Sequence, residues 1–500
     1  MHIRLFLLVS FSLISTLPIV NIINSGFPDA SGLKSNAKKL FSIDIAEGYY
    51  SELLFNLGIS NNSSQVIVGS NGWLFLGDLY ANTISEFRKG SDAKKELSTK
   101  INEAQSIWGR YFTHQGVEDF KIIIGPNKST VYAEKVPGWA KNEGKSISTN
   151  LYSSDLYINS IDALIEAKKE GETYFSSDTH WNNFGASVAF EQLMETINPN
   201  SSFVFPSKDW SKIVDIQKRS GGDLANFLKA QKFISDSTII TKINTYAYEH
   251  SIYDYNSNEL AYQGPSSLYG SMHHPYVIHT PNALNKSKVL WLSDSFGNAM
   301  APYMTATFSH ILKTHWAGVV GTPLLEKIVE DWKPDYIFYT VVERSSLDDA
   351  FLKLPAVQPE ATLKLNNVGT ISKPRLNSIN SIGESEYSVS GRDPFLVYDV
   401  KDGLLLSSSE EYRLNFNLDC QGSSGNIPIQ LFWHSKGSAF NEPQSVRFQA
   451  INGNNQVVLY GLNTINDVAS FRIDLDGVVT CNKFSMSDVK LGIPAITASQ

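Results

Sequence analysis

The sequence predicts an α/β protein, a doubly wound sheet followed by an all-β sandwich or jelly roll. Three observations carry that prediction. Short apolar runs at Phe120–Gly125, Lys288–Leu292 and Tyr336–Val342 have the length and the β-branched or aromatic content of strands buried on both faces. Helical periodicity precedes the first, over about 92–115, and fills intervals between them, over about 158–169, 183–197 and 322–331. After residue 360 the texture changes to alternating segments such as Tyr412–Leu418, Ile427–Trp433 and Ser445–Ala450, separated by Gly, Asn and Ser turns, as in sandwiches and jelly rolls.

Taken from the N-terminus, Arg4 precedes the apolar run Leu5–Val20, which Ile22 and Ile23 extend. A positive end followed by such a run reads as an export signal, so residues 1–23 are expected to be a signal peptide or membrane anchor. No A-x-A-like cleavage site follows, which favours an anchor with the bulk of the chain outside. Residues 24–65 are polar with a few helical stretches and read as a stalk. Val66–Gly77 alternates around Asn71-Gly72, a hairpin signal. The α/β domain is expected over 66–355, with a long irregular insertion at about 200–285, and the β-domain over 375–500.

Composition narrows the function classes. At 500 residues the chain exceeds one ordinary core, and 42% hydrophobic with 18% charged residues describes a folded multidomain protein. A formal charge of -8 gives no basic footprint, so no nucleic-acid partner is expected. Two cysteines, Cys420 and Cys481, exclude a cysteine-built zinc site, and in an oxidising compartment they are able to pair. His273 and His274 are adjacent without a nearby carboxylate pattern and read as loop residues, so no metal is expected. With neither a P-loop nor G-x-G-x-x-G, no cofactor is expected either.

Two segments can carry chemistry. In Ser176–Ala186, Asp178 and His180 lie two apart just before a helix, so in extended chain they point the same way. A carboxylate so placed fixes the imidazole tautomer and stabilises the imidazolium of a general base. The same string also reads as a capping turn. In Lys288–Ala299 an apolar strand runs into Ser293-Asp294-Ser295 and then a helical pattern, which presents Ser295 at the carboxyl end of a sheet strand. Here too a helix N-cap is the competing explanation. Together the segments supply the nucleophile, base and orienting carboxylate of serine-based acyl transfer.

At these residues the chain resembles the alginate O-acetyltransferase family, a branch of the SGNH-hydrolase-like superfamily. Asn71–Gly77 resembles its GWLF segment, Asp178–Gly185 its Asp-x-His motif and Asp294-Ser295-Phe296 its serine block. Gly125–Lys128 with Tyr132, and Val342–Arg344, are weaker echoes. One departure is Ser293, where the family commonly has glycine. The resemblance implies Ser295 as acylated nucleophile, His180 as base, Asp178 as its partner and Arg344 in the sugar or acyl pocket. Trp181 and Tyr132 are further substrate-binding candidates, and Gly297 and Asn298 are the nearest oxyanion donors. In the β-domain, Phe432, Trp433 and Tyr460 are candidates for a sugar platform, against an equal reading as core aromatics. The expected function is O-acetyl transfer to an extracellular or cell-surface polysaccharide in the periplasm or another extracytoplasmic space, with a membrane-bound acyltransferase as acetyl donor. An acetyl esterase and a non-catalytic polysaccharide-binding or export scaffold are the alternatives.

Overall fold

The computed structural model describes residues 15–23, 26, 33–141, 146–246, 248–353, 355, 364–407, 412–421, 427–459, 462, 465–475 and 481–494. Its centre is a sheet of eight strands: β1 (Asp119–Gly125), β2 (Tyr157–Ile158), β3 (His250–Asp254), β4 (Leu260–Gly264), β5 (Tyr276–His279), β6 (Asn285–Ser293), β7 (Phe308–Thr314) and β8 (Tyr336–Val342). Their order across the sheet is β2-β1-β8-β6-β7-β5-β3-β4. The first five are parallel, and the last three extend the sheet antiparallel. All seven residues of β8 are buried, because helices cover both faces of the sheet at its middle.

The helices that accompany these strands include α1 (Lys95–His114), α2 (Ile161–Ala167), α3 (Asn183–Thr196), α4 (Gly297–Thr307) and α5 (Pro323–Trp332). Local chemistry sets their ends. Asn182 caps α3 by accepting from the Gly185 N–H at 3.0 Å. Pro323 opens α5, where its missing N–H costs nothing, and Lys333 closes it in the left-handed conformation (φ 49°).

The hairpin forms as the sequence predicts. Val66–Val68 pairs with Leu74–Leu76, and Asn71 (φ 57°) and Gly72 (φ 76°) make the turn. Three expectations need correction. Residues 200–285 are not irregular: they contain a two-stranded ribbon (Ile213–Ser220 with Ser235–Thr241), a short helix (Asp223–Phe227) and the strands β3 to β5. Their polar faces hid the alternation. The helical pattern after Ser295, expected through about 309, ends at Thr307, and Phe308 starts the buried strand β7. The 24–65 stalk is, in its described part, two helices, Leu33–Leu40 and Asp44–Asn56. The second lies against the domain, with Tyr49 at 4.9 Å from Phe233 and Glu47 paired to Lys229 at 2.8 Å.

The C-terminal region is a β-sandwich of a six-stranded and a five-stranded antiparallel sheet. Alternate residues of Arg413–Cys420 (Leu414, Phe416, Leu418) fill the space between the sheets, as period-two patterning requires. A disulfide joins Cys420 to Cys481, 61 residues apart. Phe432 and Trp433 are buried here, so neither offers an open face to a sugar; Tyr460 lies outside the described residues. Residues 1–14 of the expected anchor also lie outside them. Among the described residues no helix is long and apolar enough to cross a membrane.

Candidate active site

The parallel strands end on one edge of the sheet, and the candidate residues follow from those ends. Ser295 stands two residues beyond β6, Asn127 and Lys128 follow β1, and Arg344 follows β8. The serine turn is fastened by Asp294. Its Oδ1 accepts from the Phe296 N–H at 2.9 Å, and its Oδ2 accepts from the Val342 N–H at 2.7 Å, which ties the turn to the end of β8. Ser293, the departure from the family's glycine, is accommodated by Gly297: a Cβ there would lie 2.6 Å from the Ser293 Cβ.

The Asp178–His180 segment comes from the other side of the edge, between α2 and α3. Ser295 Oγ lies 2.7 Å from His180 Nε2, and His180 Nδ1 lies 2.6 Å from Asp178 Oδ1. An ionised carboxylate only accepts, so the imidazole proton sits on Nδ1 and Nε2 is left to accept from the serine hydroxyl. Burial raises the Asp178 carboxyl, but the His180 hydrogen bond and charge, with the His180 and Asp223 backbone N–H groups, outweigh it and hold it well below the usual carboxylate range. The three side chains named from sequence are therefore in one hydrogen-bonded line.

Each further letter of Asp178–Gly185 has a physical task. Thr179 donates its N–H (2.7 Å) and its hydroxyl (2.5 Å) to the Asp223 carboxylate. Trp181 is wholly buried and donates its indole N–H to Phe296 O at 2.9 Å, which joins the histidine segment to the serine turn. Asn182 caps α3, and Gly185 approaches so closely that a Cβ would meet Thr173 O at 2.0 Å.

Trp181 therefore offers no exposed ring face to a substrate. Tyr132 is enclosed in the same way. It is 3% exposed, stacks on Trp73 at 4.1 Å between centroids, and its hydroxyl accepts from the Thr173 N–H at 2.9 Å. Arg344 is half-buried and, with Asn82, Glu86, Lys94, Asn127 and Asp348, lines a polar cleft of about 270 Å³. Its guanidinium reaches Asn127 Oδ1 at 3.5 Å, and burial pulls its pKa down against the carboxylates of Asp294, Asp223 and Glu343. The N–H groups of Gly297 and Asn298 close turns on Asp294 O and Ser295 O (3.1 Å each), and the Asn298 side-chain oxygen accepts from Lys313 at 3.0 Å. Neither backbone N–H is thus spare for an oxyanion.

Sequence reasoning missed three acidic or basic residues that surround the dyad. Asp223 comes from the segment expected to be irregular, and burial followed by the Asp178 charge pushes its pKa up. Asp236 accepts from the N–H groups of Ser176 (3.3 Å) and Ser177 (2.9 Å). Arg219 lies 3.8 Å from Asp178 Oδ2 and over the Phe175 ring. Gly221-Gly222 was the available signal: a Cβ on Gly222 would lie 2.3 Å from Asp178 Oδ2, so only glycine lets this segment approach. Asp178, His180 and Asp223 also bring ligand atoms within 4.8 Å of one another, as a cation would need, but the His180 Nδ1 that would bind it is occupied by Asp178.

A serine at the end of a parallel strand, in line with a histidine and an aspartate that precede it in the chain, is the arrangement of an α/β domain built for serine-based acyl transfer. Comparison with known proteins shows what this part of the chain is similar to. The profile described as "SGNH hydrolase-like domain, acetyltransferase AlgX" matches residues 66–257. The chain is 26% identical over 172 residues to "Probable alginate O-acetylase AlgJ" of Pseudomonas aeruginosa, covering 33% of this chain and 41% of that protein. It is 24% identical over 180 residues to the protein of the same name from Pseudomonas putida, covering 34% and 44%. Among solved structures, PatB1 of Bacillus cereus aligns with 57% of this chain and 98% of its own at 17% identity and a TM-score of 0.41. Residues 66–257 are thus similar to the acetyltransferase family of that profile, and the chain spans less than half the length of the curated relatives it matches.

Proposed function

We propose that the protein is a polysaccharide O-acetyltransferase that works through an acyl-serine. The observation that carries this reading is the unbroken line from Asp178 through His180 to Ser295, with contacts of 2.6 and 2.7 Å. His180 takes the Ser295 proton as the hydroxyl attacks the donor's carbonyl carbon. As the tetrahedral intermediate collapses, the imidazolium returns that proton to the leaving group, and Asp178 stabilises the charge meanwhile. A sugar hydroxyl then attacks the acyl-serine carbonyl carbon, giving its proton to His180, which passes it to Ser295 Oγ as the acyl–Oγ bond breaks, and the sugar leaves as the acetyl ester. Arg344 lines the acceptor cleft. Its guanidinium supplies hydrogen-bond donors there, which suits a hydroxyl-rich chain.

The wider assignments follow from the family and the N-terminal sequence. The protein acts outside the cytoplasm, held at the inner membrane by residues 1–23, and receives acetyl groups from a membrane-bound acyltransferase. The β-sandwich carries the polymer, by a face other than the buried Phe432 and Trp433. Incubating the protein with an acetyl-ester donor and an oligosaccharide tests the reading: acetyl should appear on the sugar with ping-pong kinetics. Release of free acetate alone, at every sugar concentration, would make it an esterase instead.

A further inference from the structure

Lys128 takes no part in the proton transfers above, yet it is the most committed side chain around them. It is 4% exposed, and its ammonium donates to the carbonyl oxygens of Phe175 (3.0 Å), Ser176 (2.9 Å) and Asp178 (2.7 Å), which uses all three protons. The rings of Trp73 and Phe75 lie 5.5 Å from it, so the GWLF segment forms the floor of its pocket. Its electrostatic partners are Asp223, Asp236, Asp178 and Glu172. Burial pulls the ammonium down to about 7 while those carboxylates act to raise it. The His180 imidazole and the Arg219 guanidinium share the same neighbourhood through Asp178.

Residues 175–179 have no helix or strand to fix them, and they are held from two sides. Asp236 and Asp223 take N–H groups of Ser176, Ser177 and Thr179, and Lys128 takes the carbonyls of Phe175, Ser176 and Asp178, while the Ala225 N–H takes that of Ser177 and the Leu74 N–H shares that of Ser176. We propose that Lys128 is a positioning residue for acyl transfer: it fixes the carbonyl side of the segment that carries Asp178 and His180 and supplies the positive charge that offsets the carboxylates gathered behind them. The inference rests on the reading of Ser295 as the acylated nucleophile.

The test uses Lys128→Met, which removes donors and charge, and Lys128→Gln, which keeps two donors and loses the charge. Hydrolysis of p-nitrophenyl acetate is measured per active site, with sites counted by sulfonyl fluoride titration. A lysine that only stabilised the fold would change the number of sites and the melting temperature, not turnover per site. A positioning lysine gives a kcat about 100-fold lower in Lys128→Met, the scale of a misplaced catalytic group, with KM nearly unchanged. A positive charge beneath the dyad opposes protonation of the base, so its removal moves the acid limb of the kcat/KM profile to higher pH in both variants. Turnover within threefold of the parent and an unmoved profile overturn the proposal. The parent supplies an arm independent of substitution: with ¹⁵N-labelled lysine, an ammonium resonance protected from solvent exchange should shift when Ser295 is sulfonylated. If no protected ammonium responds, the proposal fails. Parent hydrolysis that survives Ser295→Ala defeats the acyl-serine reading itself, a different outcome from an unaffected Lys128 variant.

Discussion

The two halves of the candidate site reach the same edge of the sheet by different means. The serine turn is regular structure. Ser293 closes β6, Gly297 opens α4, and Asp294 needs only two backbone N–H groups to bind the turn to β8. The segment that brings Asp178 and His180 has less such support: beside backbone bonds from Leu74 and Ala225 to the Ser176 and Ser177 carbonyls, its polar groups are paired with the side chains of Lys128, Asp223 and Asp236, from distant parts of the chain. Buried backbone groups must be paired wherever they lie. Where secondary structure does not pair them, charged side chains do, and the segment becomes sensitive to changes that leave the turn untouched.

The sharpest break in that comparison is Asp178→Asn, which should lower turnover by about 10⁴, because the histidine then takes the wrong tautomer. The same variant has a stability signature. A carboxyl whose folded pKa is depressed contributes stability that is complete above its unfolded value of about 4 and is lost as pH falls toward the folded value. Parent and variant should therefore differ in melting temperature at neutral pH and converge in strong acid. Next in size is Gly222→Ala, where the added Cβ would lie 2.3 Å from the Asp178 carboxylate and push it off His180. A loss of about 100-fold in kcat is expected, and near-parent kcat would show that the clamp has slack.

On the serine side the effects should be milder. Asp294→Asn keeps one acceptor for the two N–H groups, and losing one bond to a charged group, worth about 1.5 kcal/mol, corresponds to roughly a tenfold drop in turnover. A larger loss than Gly222→Ala gives would reverse the comparison. The smallest catalytic effect belongs to the β-sandwich. Cys420→Ser opens a loop of 61 residues and should cost about 4 kcal/mol of stability, measured by denaturant unfolding, while ester cleavage at 25 °C stays at the parent rate.

This contrast also explains what the sequence disclosed. The strands at 119–125, 285–293 and 336–342 were legible because burial on both faces leaves uninterrupted apolar runs. Asp178, His180 and Ser295 were legible because they sit in compact motifs. Asp223 and Arg219 were not, because they arrive from 213–227, a region whose strand Ile213–Ser220 is mostly exposed and shows no apolar alternation. The burial of Trp181 and Tyr132 was not legible for a related reason: an aromatic beside such a motif looks the same in sequence whether its face is open to a sugar or packed against Phe296 or Trp73.

The central claim is that Ser295 carries the acyl group. Intact-mass and peptide mass spectrometry of the protein, quenched after mixing with an acetyl-ester donor, measures this directly. The account predicts one added acetyl group, located on Ser295, absent from Ser295→Ala and removed when an acceptor oligosaccharide is supplied. Acetylation elsewhere, or acetyl transfer to sugar that persists in Ser295→Ala, would contradict it.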